Sequence, residues 1–251
     1  MFRLVNVLFL ATVVVLAGCA TAGKQGEEQA AKALYQEAQD AMASANYEGA
    51  VDTLEKLQAR YPFGPYAEQA QLDIIYAYHK AGDPDSAISA ADRFIKLNPR
   101  HPAVPYAQYM KGIAQMGRGQ SSITRMFGID RSSRNPKPLR AAFRSFQTVV
   151  TEYPDSPYAE DARKRMMIVR DLLSRHELHI AQFYMDRGAY VAAVNRAKDI
   201  LQTYDETPAV ETALEIMVKA YKQLGIPKLR EDALRVLREN YPDNPLVKSN
   251  S

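Results

Sequence analysis

Tyr61-Pro62-Phe63-Gly64-Pro65-Tyr66-Ala67 decides how this chain is read, because a close copy, Tyr153-Pro154-Asp155-Ser156-Pro157-Tyr158-Ala159, returns downstream. Related phrases stand at Asn98-Pro99 with Pro105-Tyr106-Ala107, from Tyr204 to Pro208, and at Tyr241-Pro242-Asp243-Asn244-Pro245. The first proline ends a helix, since the residue before a proline is pushed out of the helical region. The second suits the first turn of the next helix, where its missing N–H costs nothing. Each phrase therefore says stop, then start.

Between these joints lies a second set of helix breakers: Asn46-Tyr47-Glu48-Gly49, Gly82-Asp83-Pro84-Asp85, Asn135-Pro136-Lys137-Pro138, Gly188-Ala189 and Gly225-Ile226-Pro227. Every unit is then a pair of antiparallel helices. Apolar residues recur at helical spacing, as in Leu34, Ala38, Ala41 and Ala45, followed by Ala50, Leu54, Leu57 and Tyr61. Neither helix of a pair buries such a stripe alone, but stacked neighbours do.

The offsets resemble those of tetratricopeptide repeats. Counted back from the joints, the small residue that lets two helices touch falls at Ala50, Ala87, Ala142 and Ala193. The large aromatic of the first helix is matched by Tyr78, Tyr184 and Tyr221, and the turn glycine by Gly82, Gly188 and Gly225. The last repeat departs from the pattern, with Arg230 where alanine is expected. The predicted fold is all-α, a superhelical solenoid of about five tetratricopeptide (TPR) helix pairs. The joints are unevenly spaced, which predicts an insertion over 117–137 and a helical extension from Pro157 to about Leu173.

The start of the chain sets the compartment. Arg3 precedes an apolar run from Leu4 to Leu16, interrupted by Asn6 and Thr12, which leads into Leu16-Ala17-Gly18-Cys19. The run is shorter than the roughly 20 residues of a membrane-spanning helix, and it ends as a lipoprotein signal with its lipobox. Cys19 is the only cysteine in the chain, so disulfides are excluded although the compartment permits them. Cys19 is expected to carry diacylglycerol and an N-acyl group. At about 0.8 kcal/mol per buried methylene, three chains should hold it to a bilayer permanently. Ala20 follows, rather than an aspartate resembling an inner-membrane retention signal, so the expected address is the periplasmic face of the outer membrane.

The expected organisation is a signal peptide over 1–18, a lipidated N-terminus and tether over 19–29, three repeats over 30–154 and two more over 155–251. A net charge of +3 on 251 residues gives no reason to expect nucleic acid. His176-Glu177-Leu178-His179 has i to i+3 spacing and lacks the i to i+4 histidine pair and third ligand of a zinc protease, so no metal is expected. Phosphate loops, cysteine nucleophiles and framed acid pairs are missing from the sequence. No catalytic residue and no cofactor beyond the lipid are expected.

The whole pattern resembles the BamD/ComL family of lipoproteins. The likeness is carried by Arg60 to Tyr66, Ile75-Tyr76-Ala77-Tyr78, Asp92-Arg93-Phe94-Ile95, Phe127-Gly128-Ile129-Asp130-Arg131-Ser132, and Gly188-Ala189-Tyr190-Val191-Ala192 with Val194-Asn195-Arg196 close behind. The resemblance implies a scaffold that docks a barrel-forming subunit through its periplasmic POTRA domains, binds smaller accessory lipoproteins and receives unfolded outer-membrane proteins. Two other roles are open at this point. One is a periplasmic TPR lipoprotein coordinating cell-wall synthesis or division. The other is a muramidase-like enzyme, for which the repeats leave no room.

Three groups of residues are candidates for binding. Tyr61 and Phe63, with Tyr66, surround a proline joint beside Arg60, and aromatics next to a cation suit a peptide ending in an aromatic residue with a free carboxylate. Packing between repeats is the competing role for all three aromatics. The insertion carries Arg125, Phe127 and Arg131 in a long loop, a setting for a partner-binding element or for an exposed loop. Asn195 and Arg196 lie on a helix whose apolar stripe runs through Val194, Ala197 and Leu201, so Arg196 is expected to face outward. There it would pair with a partner's carboxylate or remain a solvated charge.

Replacing Cys19 by alanine is expected to abolish lipidation and release a folded, soluble protein, because the tether adds no core contacts. Fractionation of cells lacking the partners checks this: quantitative recovery of the variant with membranes would contradict anchoring at Cys19.

Overall fold

The computed structural model describes residues 26–118 and 135–249. All regular structure among the described residues is helical: α1 over 26–43, α2 Tyr47–Arg60, α3 Pro65–Ala81, α4 Pro84–Leu97, α5 Val104–Gly117, α6 Lys137–Glu152, α7 Ala159–Asp186, α8 Tyr190–Thr203, α9 Ala209–Gln223, α10 Pro227–Asn240 and the short α11 Pro245–Lys248.

The joints end helices in one repeated way. The caps of α2, α4, α6, α8 and α10 are Tyr61, Asn98, Tyr153, Tyr204 and Tyr241, with φ between −127° and −136° and ψ between 38° and 69°. Each donates its N–H to the carbonyl four residues back, on Leu57, Phe94, Val149, Ile200 and Leu237 respectively. Those five side chains are all buried in the core. Proline follows four of the caps, but Asp205 follows Tyr204, and the geometry there is the same. The second prolines begin the next helix at Pro65 and Pro245 and cap it at Pro208, while Pro157 stands just before the cap Tyr158.

The turns inside the pairs use left-handed backbone. Gly82, Gly188 and Gly225 have φ of 84°, 72° and 68°, and at the first pair Ala45 takes the same role at 60°. Glycine has no Cβ to clash there, whereas alanine pays a strain of roughly 1 kcal/mol. Side-chain caps secure the second helices: Asn46 accepts from the Gly49 N–H and Asp83 from the Ser86 N–H. That pairing holds the Asp83 carboxyl below the ordinary aspartate range.

Ala50, Ala87, Ala142 and Ala193, the residues expected at helix contacts, are completely buried. Their small side chains let α2 close on α3, α4 on α3, and α8 on α7 and α9. Tyr221 is buried, and Tyr184 packs at the edge of the same core. Tyr78 is half-buried; its hydroxyl donates to the Glu55 carboxylate, and burial together with that bond pushes its pKa up to about 12.

The chain divides into two compact units, one ending at Ala114 and the other starting at Gln115. This places α6 with the second unit, ahead of the 154/155 joint that the repeats alone suggest as a division. The reason is packing: α6 lies along α7. The extension expected from Pro157 to about Leu173 is the first part of α7, a continuous helix of 28 residues with no proline or glycine to interrupt it. In the second unit α9 packs on both α7 and α8 around Ala181, Ala197, Ile200, Ala213 and Ala220.

Ala193→Leu is expected to force extra methylenes between tightly packed helices and cost about 1 to 3 kcal/mol. An unchanged melting temperature would contradict the repeat register.

Candidate functional site

In the first unit, the joint between α2 and α3 borders a cavity of about 310 Å³ lined by Arg60, Tyr61, Phe63 and Tyr66 together with Glu27 and Glu28 of α1. The three aromatics have different surroundings. Tyr66 is half-buried, with its ring centroid 5.7 Å from that of Tyr35. Tyr35 is fixed in turn: its hydroxyl donates to Asp73 at 2.8 Å, while the Gln39 amide donates to both at 2.7 Å. Burial first, then the Asp73 carboxylate, raises the Tyr35 hydroxyl pKa. Tyr66 therefore packs between helices. Phe63 is 90 % exposed, next to Gly64, whose φ of 102° no ordinary side chain adopts easily. Tyr61 lies between these cases, half-buried as the cap of α2.

An apolar side chain has a surface to rest on here. The electrostatics are less one-sided than Arg60 alone suggests, because Glu27 and Glu28 line the same cavity. Lys56, the other cation near this joint in the sequence, is exposed on α2.

The second unit holds a cleft of about 500 Å³ between α6, α7 and α8, lined by Arg140, Arg144, Arg170 and Arg196, with Glu177 and Tyr204. Glu177 is the centre of this cluster. Its side chain is only 7 % exposed; one carboxylate oxygen accepts from Arg140 at 3.4 Å and the other from Arg196 at 3.2 Å. Arg196 also lies 3.9 Å from Asp199. Arg170 makes its own bridge, to Asp205 at 3.0 Å, Glu206 at 2.9 Å and the Thr203 carbonyl at 3.3 Å. Burial, the largest influence, raises the Tyr204 hydroxyl pKa.

The structure adds an internal partner for Arg196, whose side chain stays 41% exposed. The residue is off the apolar stripe of α8, but it is half-buried because its guanidinium reaches back to a carboxylate on α7. Asn195 is exposed beside it. Arg125, Phe127 and Arg131 lie outside the described residues.

Sequence reading missed Arg140 and the role of Glu177, although a signal for Glu177 was present. Leu173, Glu177 and Ala181 follow one another at i, i+4 and i+8, and all are buried, so a carboxylate stands on an apolar stripe and needs donors. Which donors could not be read locally, since Arg140 is 37 residues away and Arg196 is 19.

Arg196→Ala strands one oxygen of a buried carboxylate and is expected to cost about 1 to 3 kcal/mol, more than an ordinary surface change. Denaturant unfolding measures it; a loss below about 0.5 kcal/mol would show that Arg140 and solvent satisfy Glu177 unaided.

A family model described as YfiO, outer membrane lipoprotein, matches residues 27–237. The outer membrane protein assembly factor BamD of Neisseria meningitidis serogroup B is 41% identical, over 93% of this chain and 90% of its own length. That of Vibrio cholerae is 39% identical, over 92% and 95%. Among solved structures, the crystal structure of MamA protein covers 82% of this chain and 86% of its own at 16% identity and a TM-score of 0.39, too loose a likeness to carry an argument. No helix among the described residues is long and apolar enough to cross a membrane. With the repeats, their joints and these relatives all matching along nearly the whole length, the chain belongs to the YfiO family of outer membrane lipoproteins, together with the BamD assembly factors.

Proposed function

We propose that this protein is a non-catalytic scaffold lipoprotein of the outer-membrane β-barrel assembly machinery. It is held by acyl chains on Cys19 to the outer membrane and faces the periplasm. There it docks the barrel subunit through that subunit's POTRA domains, binds accessory lipoproteins and receives unfolded outer-membrane proteins. The observation that carries this reading is the 41% identity to a BamD assembly factor over 93% of the chain, which leaves neither unit outside the likeness.

The two clefts suit two different tasks. The aromatic joint, with Phe63 exposed and Tyr61 beside it, is the surface for an extended precursor segment, because a ring buries large area at low entropy cost. The arginine-lined cleft of the second unit, with Asn195 and Arg196, is the surface for the folded partner, since guanidinium groups pair well with carboxylates. Arg125, Phe127 and Arg131 of the insertion complete the partner-binding set.

Purification of the full chain in mild detergent tests the assignment. A large β-barrel protein with POTRA domains is expected to copurify with it. Recovery of cell-wall or division enzymes in its place would overturn the proposal and favour a coordinating role in wall synthesis.

A further inference from the structure

Glu177 is too buried to meet a partner itself, yet both of its oxygens are committed to arginines that line the cleft. A guanidinium has five N–H donors, and Glu177 takes one from each. Its bonds, at 3.4 and 3.2 Å, exceed the roughly 2.7 to 2.9 Å of tight charge-assisted pairs. They set direction without exhausting the donors. The Arg140 and Arg196 side chains remain 51% and 41% exposed, so each guanidinium has a buried edge on Glu177 and an open edge toward the cleft.

The groups lining the cleft carry four arginines against Glu177 and Asp199, an excess of two positive charges (4 − 2). Two further acids, Asp205 and Glu206, bridge Arg170 and balance that excess, so the aim of Arg140 and Arg196 rather than net charge distinguishes the cleft. The walls between them are apolar or aromatic, from Phe143, Leu173 and Tyr204, and charge pairs formed against such walls are less screened than on open surface.

We propose that Glu177 is a positioning residue that aims Arg140 and Arg196 as two arms of one carboxylate-binding cleft, and that Arg140 is a recognition residue for an acidic side chain on the docked partner. This rests on the docking reading above. The geometry also gives a test whose sign is informative. Glu177→Gln makes the cleft more positive. If net charge alone draws the partner, binding tightens; if Glu177 aims the arginines, binding weakens.

The experiment measures binding of the purified POTRA region to the full lipidated chain in detergent, with thermal unfolding of every variant. Glu177→Gln is expected to weaken binding about tenfold, and Arg140→Gln by a similar factor. Adding Glu177→Gln to the Arg140→Gln/Arg196→Gln double variant should change binding by less than about twofold beyond that variant's own loss if Glu177 acts through the two arginines. Arg140→Lys, which keeps the charge and loses the planar fork, should recover only part of the affinity. Equal or tighter binding by Glu177→Gln overturns the positioning role, and wild-type binding by Arg140→Gln overturns its recognition role; either leaves the docking reading intact. Should Glu177→Gln unfold, Glu177→Asp, which keeps the charge but shortens the reach to both arginines, takes its place: weakened binding is expected, and wild-type binding overturns the positioning role. Failure of the wild-type chain to bind the POTRA region overturns both readings together.

Discussion

Five side chains, Leu57, Phe94, Val149, Ile200 and Leu237, sit buried one turn before the ends of their helices, and the rest of the architecture is arranged around those anchor points. Each fixes the last turn against the core, so the cap that follows leaves the helix at nearly the same dihedral angles every time. Proline after the cap reinforces the exit but is not its cause, because Tyr204 makes the same exit with Asp205 behind it. Burial of the anchor decides where the helix stops; the proline forbids it to continue. Once the exits are uniform, successive helices meet at their alanines, and the stripe that no single pair could cover is covered by its neighbour.

The same regularity explains where exceptions are tolerated. Ala45 occupies left-handed backbone where the later pairs have glycine, a strain borne by the surrounding packing of α1 and α2. The long α7 merges an extension with the first helix of a pair, and it packs against α6, α8 and α9. That reach brings α6 into the second unit and places a face of α7 between two arginine-bearing helices.

Glu177 lies on that face, and it ties the cleft's arginines to the stability of the fold. A buried carboxylate with two arginine partners costs desolvation that only good pairing offsets. Removing a partner therefore disturbs the fold as well as the surface, so affinity measurements on arginine variants here are interpretable only beside unfolding measurements. The aromatic joint of the first unit is different in kind. Phe63 projects from the turn with most of its area in solvent, while Tyr66 holds the helices together through Tyr35. Changes at Phe63 thus leave the helix packing untouched and changes at Tyr66 disturb it, although the two stand three residues apart in the same phrase.

Local chemistry by itself was enough to determine the helix pairs, their turns and the alanine contacts, because proline, glycine and apolar periodicity act within a few residues of where they stand. The helix stop and restart around Phe63 and Gly64 were likewise legible locally, but that Tyr66 packs while Phe63 stays exposed needed the position of Tyr35 on another helix. Arg196 shows the limit most clearly. Its place off the apolar stripe of α8 was legible, and from that alone an outward-facing charge follows. Only the tertiary structure brings α7 alongside, with a carboxylate on its buried face, and then Coulomb attraction and the need to satisfy Glu177 draw one edge of the guanidinium onto it while the side chain stays 41% exposed. Pairing between groups 19 and 37 residues apart depends on which helices become neighbours, and no local pattern contains that information.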